Sequence, residues 1–176
     1  LLDGGKAAQK QFDNADNMTE QLGALGTLID IGQANDALAV FARQWGGDRL
    51  VMDKWFALQV SRAAPADAVE IARALTQHPD FDWTNPNRFR SVIGGLAMNP
   101  AGFHDPSGAG FQLIGHWLET MDGKNPQTAA RMSTAFETWR RYDADRQALI
   151  QAELNRLKAL AGLSRDMGEM VGRMLG

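Results

Sequence analysis

Apolar residues recur along this chain at three- and four-residue steps, segment after segment, and no stretch sustains a two-residue alternation. The clearest run lies within Thr84–His104, TNPNRFRSVIGGLAMNPAGFH, where Phe89, Val92, Ile93 and Leu96 fall on one helical face. Two Asn-Pro steps, Asn85-Pro86 and Asn99-Pro100, bracket that face. Each sets a capping side chain just before a proline suited to the first helical position. Gly94-Gly95 in mid-helix costs roughly 1 kcal/mol per glycine relative to alanine, so another backbone or helix is expected to pack closely there. Arg88 and Arg90, two residues apart, project about 200° apart around the axis. One can be a solvated surface charge while the other points into a groove or cavity. The plainer reading of the stretch is a capped core helix; the sharper one is a helix that holds an arginine toward a ligand space.

The same signals divide the rest of the chain. Lys6–Ala15 reads as the end of a helix anchored by Phe12. Asn17 is placed to cap a helix with Met18, Leu22, Leu25 and Ile29 on one face, stopping near Gly32. Asn35 is placed to cap the next, lined by Leu38, Phe41, Ala42 and Trp45 and ended by Gly46-Gly47. Asp48 then starts a helix with Leu50, Val51, Trp55 and Leu58, and Trp45 and Trp55 could meet across the turn. Pro65 is predicted to open a helix that Pro79 stops near His78. After an irregular HPDFDWT link and the 84–104 stretch, helices follow with Phe111, Ile114, Trp117, Leu118 and Met121. The next begins at Asn125-Pro126, with Ala129, Met132, Phe136 and Trp139 on one face. Asp143 caps a long helix bearing Ile150, Leu154, Leu157 and Leu160, and Ser164 caps a last one with Met167, Met170, Val171 and Met174. About nine helices joined by short turns predict an all-α fold: stacked antiparallel pairs in an α-solenoid, ARM/HEAT-like superhelical layer. No exact sequence repeat is present, so any repeat is structural.

Length changes this picture little, since 176 residues suffice for one core or a run of stacked helical units. The absence of cysteine excludes disulfides, thiolate metal sites and cysteine nucleophiles. The net charge of -3 and the lack of any basic cluster beyond Arg140-Arg141 argue against a nucleic-acid partner. No apolar run approaches the roughly 18 residues of a membrane span, so no membrane partner is expected. The N-terminal LLDGGKAAQ reads as neither a signal nor a transit peptide.

Candidate chemistry is sparse. His78, His104 and His116 form no H-E-x-x-H pair. A buried, hydrogen-bonded His104 beside Phe103 and an exposed His116 are the expected roles. There is no nucleophile elbow, phosphate loop or dinucleotide fingerprint. Asp143 and Asp145 read as helix-capping carboxylates, and the methionines of the last helix as core. Gln127 and Arg131 sit one turn apart on a face away from the apolar stripe.

Six segments carry a resemblance: ADNMTEQL (15–22), LVMDKWFALQ (50–59), NPNRFRSVIG (85–94), NPAGFH (99–104), NPQTAARM (125–132) and RRYDADRQ (140–147). Together, in this order, they resemble the C-terminal end of bacterial aminopeptidases N, the zinc-dependent M1 aminopeptidases, from about residue 12 onward. The chain departs from that pattern in a shortened GGLAMNPAG region and a glycine-rich final helix. The resemblance implies that residues 1–176 are a single helical domain, the last part of a larger all-helical C-terminal domain walling an internal cavity over the active site. It implies zinc in the full-length enzyme, with the zinc ligands and the general-base glutamate upstream. No metal ligand and no catalytic residue then lie in this chain, which alone would be inactive. The implied partners are the catalytic domain of the same polypeptide and peptide substrates, in the cytoplasm. The positions matching ligand-facing residues of the family are Arg90, Gln127 and Arg131, which would bind peptide carbonyls or carboxylates without bond chemistry. The rival reading is a free-standing helical-repeat scaffold that binds a partner protein on its concave face.

Overall fold

Three asparagine caps set the rhythm of the chain. In the computed structural model, which describes residues 3–176, Asn85 Oδ1 accepts from the Asn87 amide at 3.0 Å, Asn99 Oδ1 from Gly102 at 3.1 Å and Asn125 Oδ1 from Thr128 at 3.0 Å. In each case the following proline occupies the first helical turn. Asn17, Asp48, Asp143 and Ser164 cap in the same way. Leu1 and Leu2, which head the LLDGGKAAQ stretch, lie outside the described residues.

The helices are α1 (Lys6–Asn14), α2 (Met18–Asp30), α3 (Asn35–Trp45), α4 (Arg49–Ser61) and α5 (Ala68–Leu75). A continuous helix at 86–97 follows: α6 (Pro86–Phe89), a π-helical turn (Arg90–Gly94) and α7 (Gly95–Ala97). Then come α8 (Pro100–Phe103), α9 (Ala109–Asp122), α10 (Pro126–Met132), α11 (Ala144–Lys158) and α12 (Arg165–Leu175). The described residues contain no strand, and none of their helices is long and apolar enough to cross a membrane.

Four local expectations are corrected. Ala34 rather than Asn35 is the N-cap of α3, with no side-chain cap bond. Pro65 opens a turn, closed by the Asp67 amide donating to the Ala64 carbonyl, and α5 begins only at Ala68. The face drawn from Ala129 to Trp139 is buried at Ala129, Phe136 and Trp139, but α10 stops at Met132 and tightens into 3-10 turns. The cause is local: the Ser133 and Thr134 hydroxyls donate to the carbonyls of Ala130 and Arg131, three residues back. Trp45 and Trp55 do not pair. The Trp45 indole donates to Gln21 Oε1 at 2.7 Å, and that of Trp55 to the Leu38 carbonyl at 3.1 Å.

The helices lie in two layers. α2, α4 and the helix at 86–97 pack in succession, as do α10 and α12; beside them α5, α9 and α11 pack in succession, α3 packs on α2 and α4, and α1 packs along α2. The helix at 86–97 runs parallel to α4. Its start meets Arg49 and Asp53 through Arg88, and its far end meets Ala57 and Val60 through Gly95. A β-carbon at Gly95 would stand 3.3 Å from Val60 Cβ and 3.5 Å from the Ala57 carbonyl oxygen. That is the close approach the glycine pair predicts.

Between the layers, Phe89, Val92, Ile93 and Leu96 are fully buried. Trp117 gathers Phe81, Trp83 and Phe89 around it, and Phe103, Phe111 and Phe136 form a second aromatic group. The glycine-rich last helix packs fully, with Met167, Val171 and Met174 buried.

Asn99 joins these parts. Besides capping α8, its amide nitrogen donates to the Val60 carbonyl at 3.1 Å and the Ala63 carbonyl at 2.9 Å, at the end of α4. Asn99→Ala would remove a cap and leave two buried acceptors without this donor. We expect a loss of about 2–4 kcal/mol, read as a lower denaturant midpoint. Asn99→Asp, which keeps the cap but sets a buried carboxylate oxygen against the two carbonyls, is expected to lose at least as much.

Candidate functional site

The two arginines of the 86–97 helix divide as their spacing predicts, but in an unexpected direction. Arg88 points inward and is only 6% exposed. Its Nε donates to Asp53 Oδ1 at 2.6 Å, Nη1 donates to the Asp80 carbonyl, and Nη2 to the Arg49 carbonyl at 3.4 Å. The guanidinium carbon lies 4.6 Å from the centre of the Phe56 ring. Arg88 lines a cavity of about 410 Å³ with Arg49, Asp80, Asp82 and Asn85, but its donors are committed to the protein. It ties the irregular link before α6 to the start of α4. Removing one partner of such a buried pair typically costs about 3–5 kcal/mol.

Arg90 is half-buried, and its Nη1 donates to Asn87 Oδ1 at 3.3 Å. It opens the π-helical turn, a feature that the apolar spacing did not reveal. Such turns carry one residue more than the α-helical path needs and are frequent at functional sites.

Gln127 and Arg131 are both exposed on α10, one turn apart. Gln127 lines a groove of about 460 Å³ with Asp166, Glu169, Met170 and Arg173 of α12; Arg131 and Arg90 take no part in it. The structure therefore does not collect the three residues in one pocket. It brings the helices that carry two of them into contact. A β-carbon at Gly94 would lie 3.7 Å from Arg90 Cβ and 3.3 Å from the methyl carbon of Met132, the residue after Arg131. The Met132 side chain of α10 packs on the helix at 86–97 at Gly94, one turn after Arg90. Among the described residues Arg90 and Arg131 have no ion-pair partner.

One cation on the same layer escaped the sequence reading. Lys54 is exposed on α4 and, among the described residues, has no ion-pair partner. The signal was present in DKWF: Met52, Trp55 and Phe56 are buried, which turns Lys54 outward.

The histidines are scattered. His78 packs edge-on to Phe56 and tilted against Trp55, and His116 is exposed on α9. His104 is stacked on Tyr142 with ring centres 3.8 Å apart, flanked by Phe103 and Phe111. It is only half-buried, and its inward Nδ1 has no hydrogen-bond partner, which corrects the buried, hydrogen-bonded role expected of it. The aromatic walls offer that nitrogen nothing to bond. Burial, then the nearby Arg146 charge, pushes its pKa below the ordinary histidine value, against the opposing pull of Asp143. Among the described residues no three His, Asp or Glu side chains converge as metal ligands.

An all-helical two-layer stack, with asparagine-proline caps and free cations on one layer, defines a helical-repeat module. Comparison with known proteins gives the family. Residues 2–176 match the family described as a domain of unknown function (DUF3458_C) with ARM repeats, and the chain belongs to it. It is 42% identical over 168 residues to aminopeptidase N of Caulobacter vibrioides, covering 94% of this chain and 19% of that protein. Against aminopeptidase N of Escherichia coli it is 41% identical over 169 residues, covering 94% and 19%. The crystal structure of Legionella pneumophila aminopeptidase A in complex with aspartic acid superposes with a TM-score of 0.92 at 33% identity, over 97% of this chain and 20% of that one. The chain thus spans about a fifth of the length of the relatives it matches.

The depressed His104 pKa has a signed consequence. The unfolded chain takes up the proton at the ordinary value of about 6.5, the folded one only at lower pH. The contribution is fully present above the ordinary value and is lost as pH falls through the folded pKa. We expect the thermal midpoint to fall on acidification from pH 7 to 5, and to fall less in His104→Phe.

Proposed function

We propose that this chain is the C-terminal helical domain of a zinc-dependent aminopeptidase, walling a cavity above the active site and contacting the peptide through Arg90, Gln127 and Arg131. The observation that carries this reading is the junction at Gly94. Met132 of α10 packs there, and Arg90, one turn before Gly94, and the exposed Arg131, one residue before Met132, both lack an ion-pair partner among the described residues. A guanidinium without an acid partner on a folded surface is available to a carboxylate or carbonyl of a ligand. The likeness to aminopeptidases N along nearly the whole chain supports the class of enzyme. The donor set here does not fit zinc, since His78, His104 and His116 stand on separate parts of the chain and each packs against an aromatic ring. Zinc and the bond-breaking groups would belong to the rest of the polypeptide. This domain would bind and orient the peptide and perform no covalent step.

The test is made on the native protein recovered with an antibody to this chain. A mass several times the 19.3 kDa of this chain, with zinc and aminopeptidase activity, is expected. A zinc-free, inactive protein of about this size would instead favour a scaffold. In the active enzyme, Arg131→Ala is expected to raise KM for peptides severalfold with little change in kcat, because uniform binding alone is lost. An unchanged KM across peptides of different length would remove Arg131 from the site.

A further inference from the structure

We propose that the groove between the ends of α2 and α4 binds a free amino acid with an aliphatic side chain. Such a molecule is what the protein would release on the reading above, and its standing as a product rests on that reading.

The groove has a volume of about 640 Å³ and opens where the end of α2, the start of α3, the end of α4 and the start of α5 come together. None of Arg90, Gln127 and Arg131 lines it. Its apolar wall is Ile29, Leu38 and Ile71, one residue from each of three helices. All three pack against the core on one side and stay only half-buried. An aliphatic group seated among them would take apolar surface of both partners out of water.

The polar groups around that wall are free of the backbone. Asn35 and Asp67 both line the groove, and both stand where a helix begins. Side chains of these types at such positions commonly accept from nearby amides. Here α3 is capped at Ala34, and Asp67 makes no side-chain bond to its own helix. Opposite them, Arg62 pairs through Nη1 with Asp30, and each of these two side chains is 46% exposed. A β-carbon at Gly26 would lie 3.2 Å from Arg62 Nε, so glycine there gives the guanidinium its bed against α2. Nη2 of Arg62 bonds no oxygen among the described residues.

These features match the three parts of an amino acid. The carboxylate takes the open edge of Arg62 in charge-assisted bonds. The ammonium takes Asp67, with the Asn35 carboxamide oxygen as a further acceptor. The side chain takes the apolar wall. Acid and base exposed around one opening suit a zwitterion. An ion of a single sign would leave one of them facing its own charge.

In the test, the native polypeptide that carries this chain is dialysed against labelled leucine. Bound leucine is counted for wild type, Arg62→Gln and Asp67→Asn, and peptide hydrolysis is measured on the same samples. Both residues are exposed, so both variants are expected to keep the wild-type circular dichroism. We expect the affinity of one bound equivalent to fall about tenfold in each variant. 3-Methylbutylamine and 4-methylpentanoate, each lacking one of the two charges, are expected to compete about tenfold less well than leucine. Equal leucine binding by wild type and both variants overturns the inference; hydrolysis intact in those samples leaves the aminopeptidase reading standing. Binding lost in the variants of a protein without peptidase activity keeps the groove and removes that reading. Competition by either singly charged analogue as strong as that by leucine also overturns the inference.

Discussion

How closely the helix at 86–97 lies against α4 decides most of what this molecule presents to its surroundings. Two parallel helices, both buried along one side, are locked at their ends by different chemistry. At the start, Arg88 reaches across to Asp53 and to two carbonyls. At the finish, Asn99 bonds two carbonyls at the end of α4. Between these ties no side chain larger than a hydrogen fits at Gly95 without displacing Val60. The approach therefore leaves little freedom for the layer to slide, and the first glycine of the pair, Gly94, meets the Met132 methyl of α10.

This arrangement assigns opposite fates to two arginines of the same short segment. Arg88 is consumed in construction: its donors end on protein oxygens and its flat face covers Phe56. Arg90, two residues on, keeps one weak bond to Asn87 and otherwise faces outward. A buried guanidinium holds the layer together so that an open one can be held in place.

Much of this was readable in advance, for a physical reason. Capping asparagines before prolines act within four residues, so Asn85, Asn99 and Asn125 declared three helix starts unaided. The stripe of Phe89, Val92, Ile93 and Leu96 declared its buried face. The glycine pair declared a close neighbour without naming it. What stayed hidden depends on partners distant in sequence. Which arginine turns inward is settled by Asp53, 35 residues away. The missing partner of His104 Nδ1 is settled by Tyr142 and Phe111. Arg90, Gln127 and Arg131 could be nominated by resemblance, but only tertiary packing says that Gln127 looks toward α12 while Met132, the neighbour of Arg131, packs at Gly94. Pro65 and Asn35 misled because a good opening residue is common in turns as well as at caps.

The π-helical turn at Arg90–Gly94 also acts as a buffer for chain length. Each residue advances an α-helix by about 100°, and the wider turn takes up a surplus residue locally. Ahead of the turn, Arg88 addresses α4; behind it, Gly95 and then Asn99 address α4 again. Both contacts with α4 are kept on either side of the turn, with Arg90 half-buried between them. Shortening the loop of backbone by that single residue would leave a more regular helix. Leu96 and Asn99 would keep the pockets that receive them, so the turn tolerates a change of length that a regular helix would not.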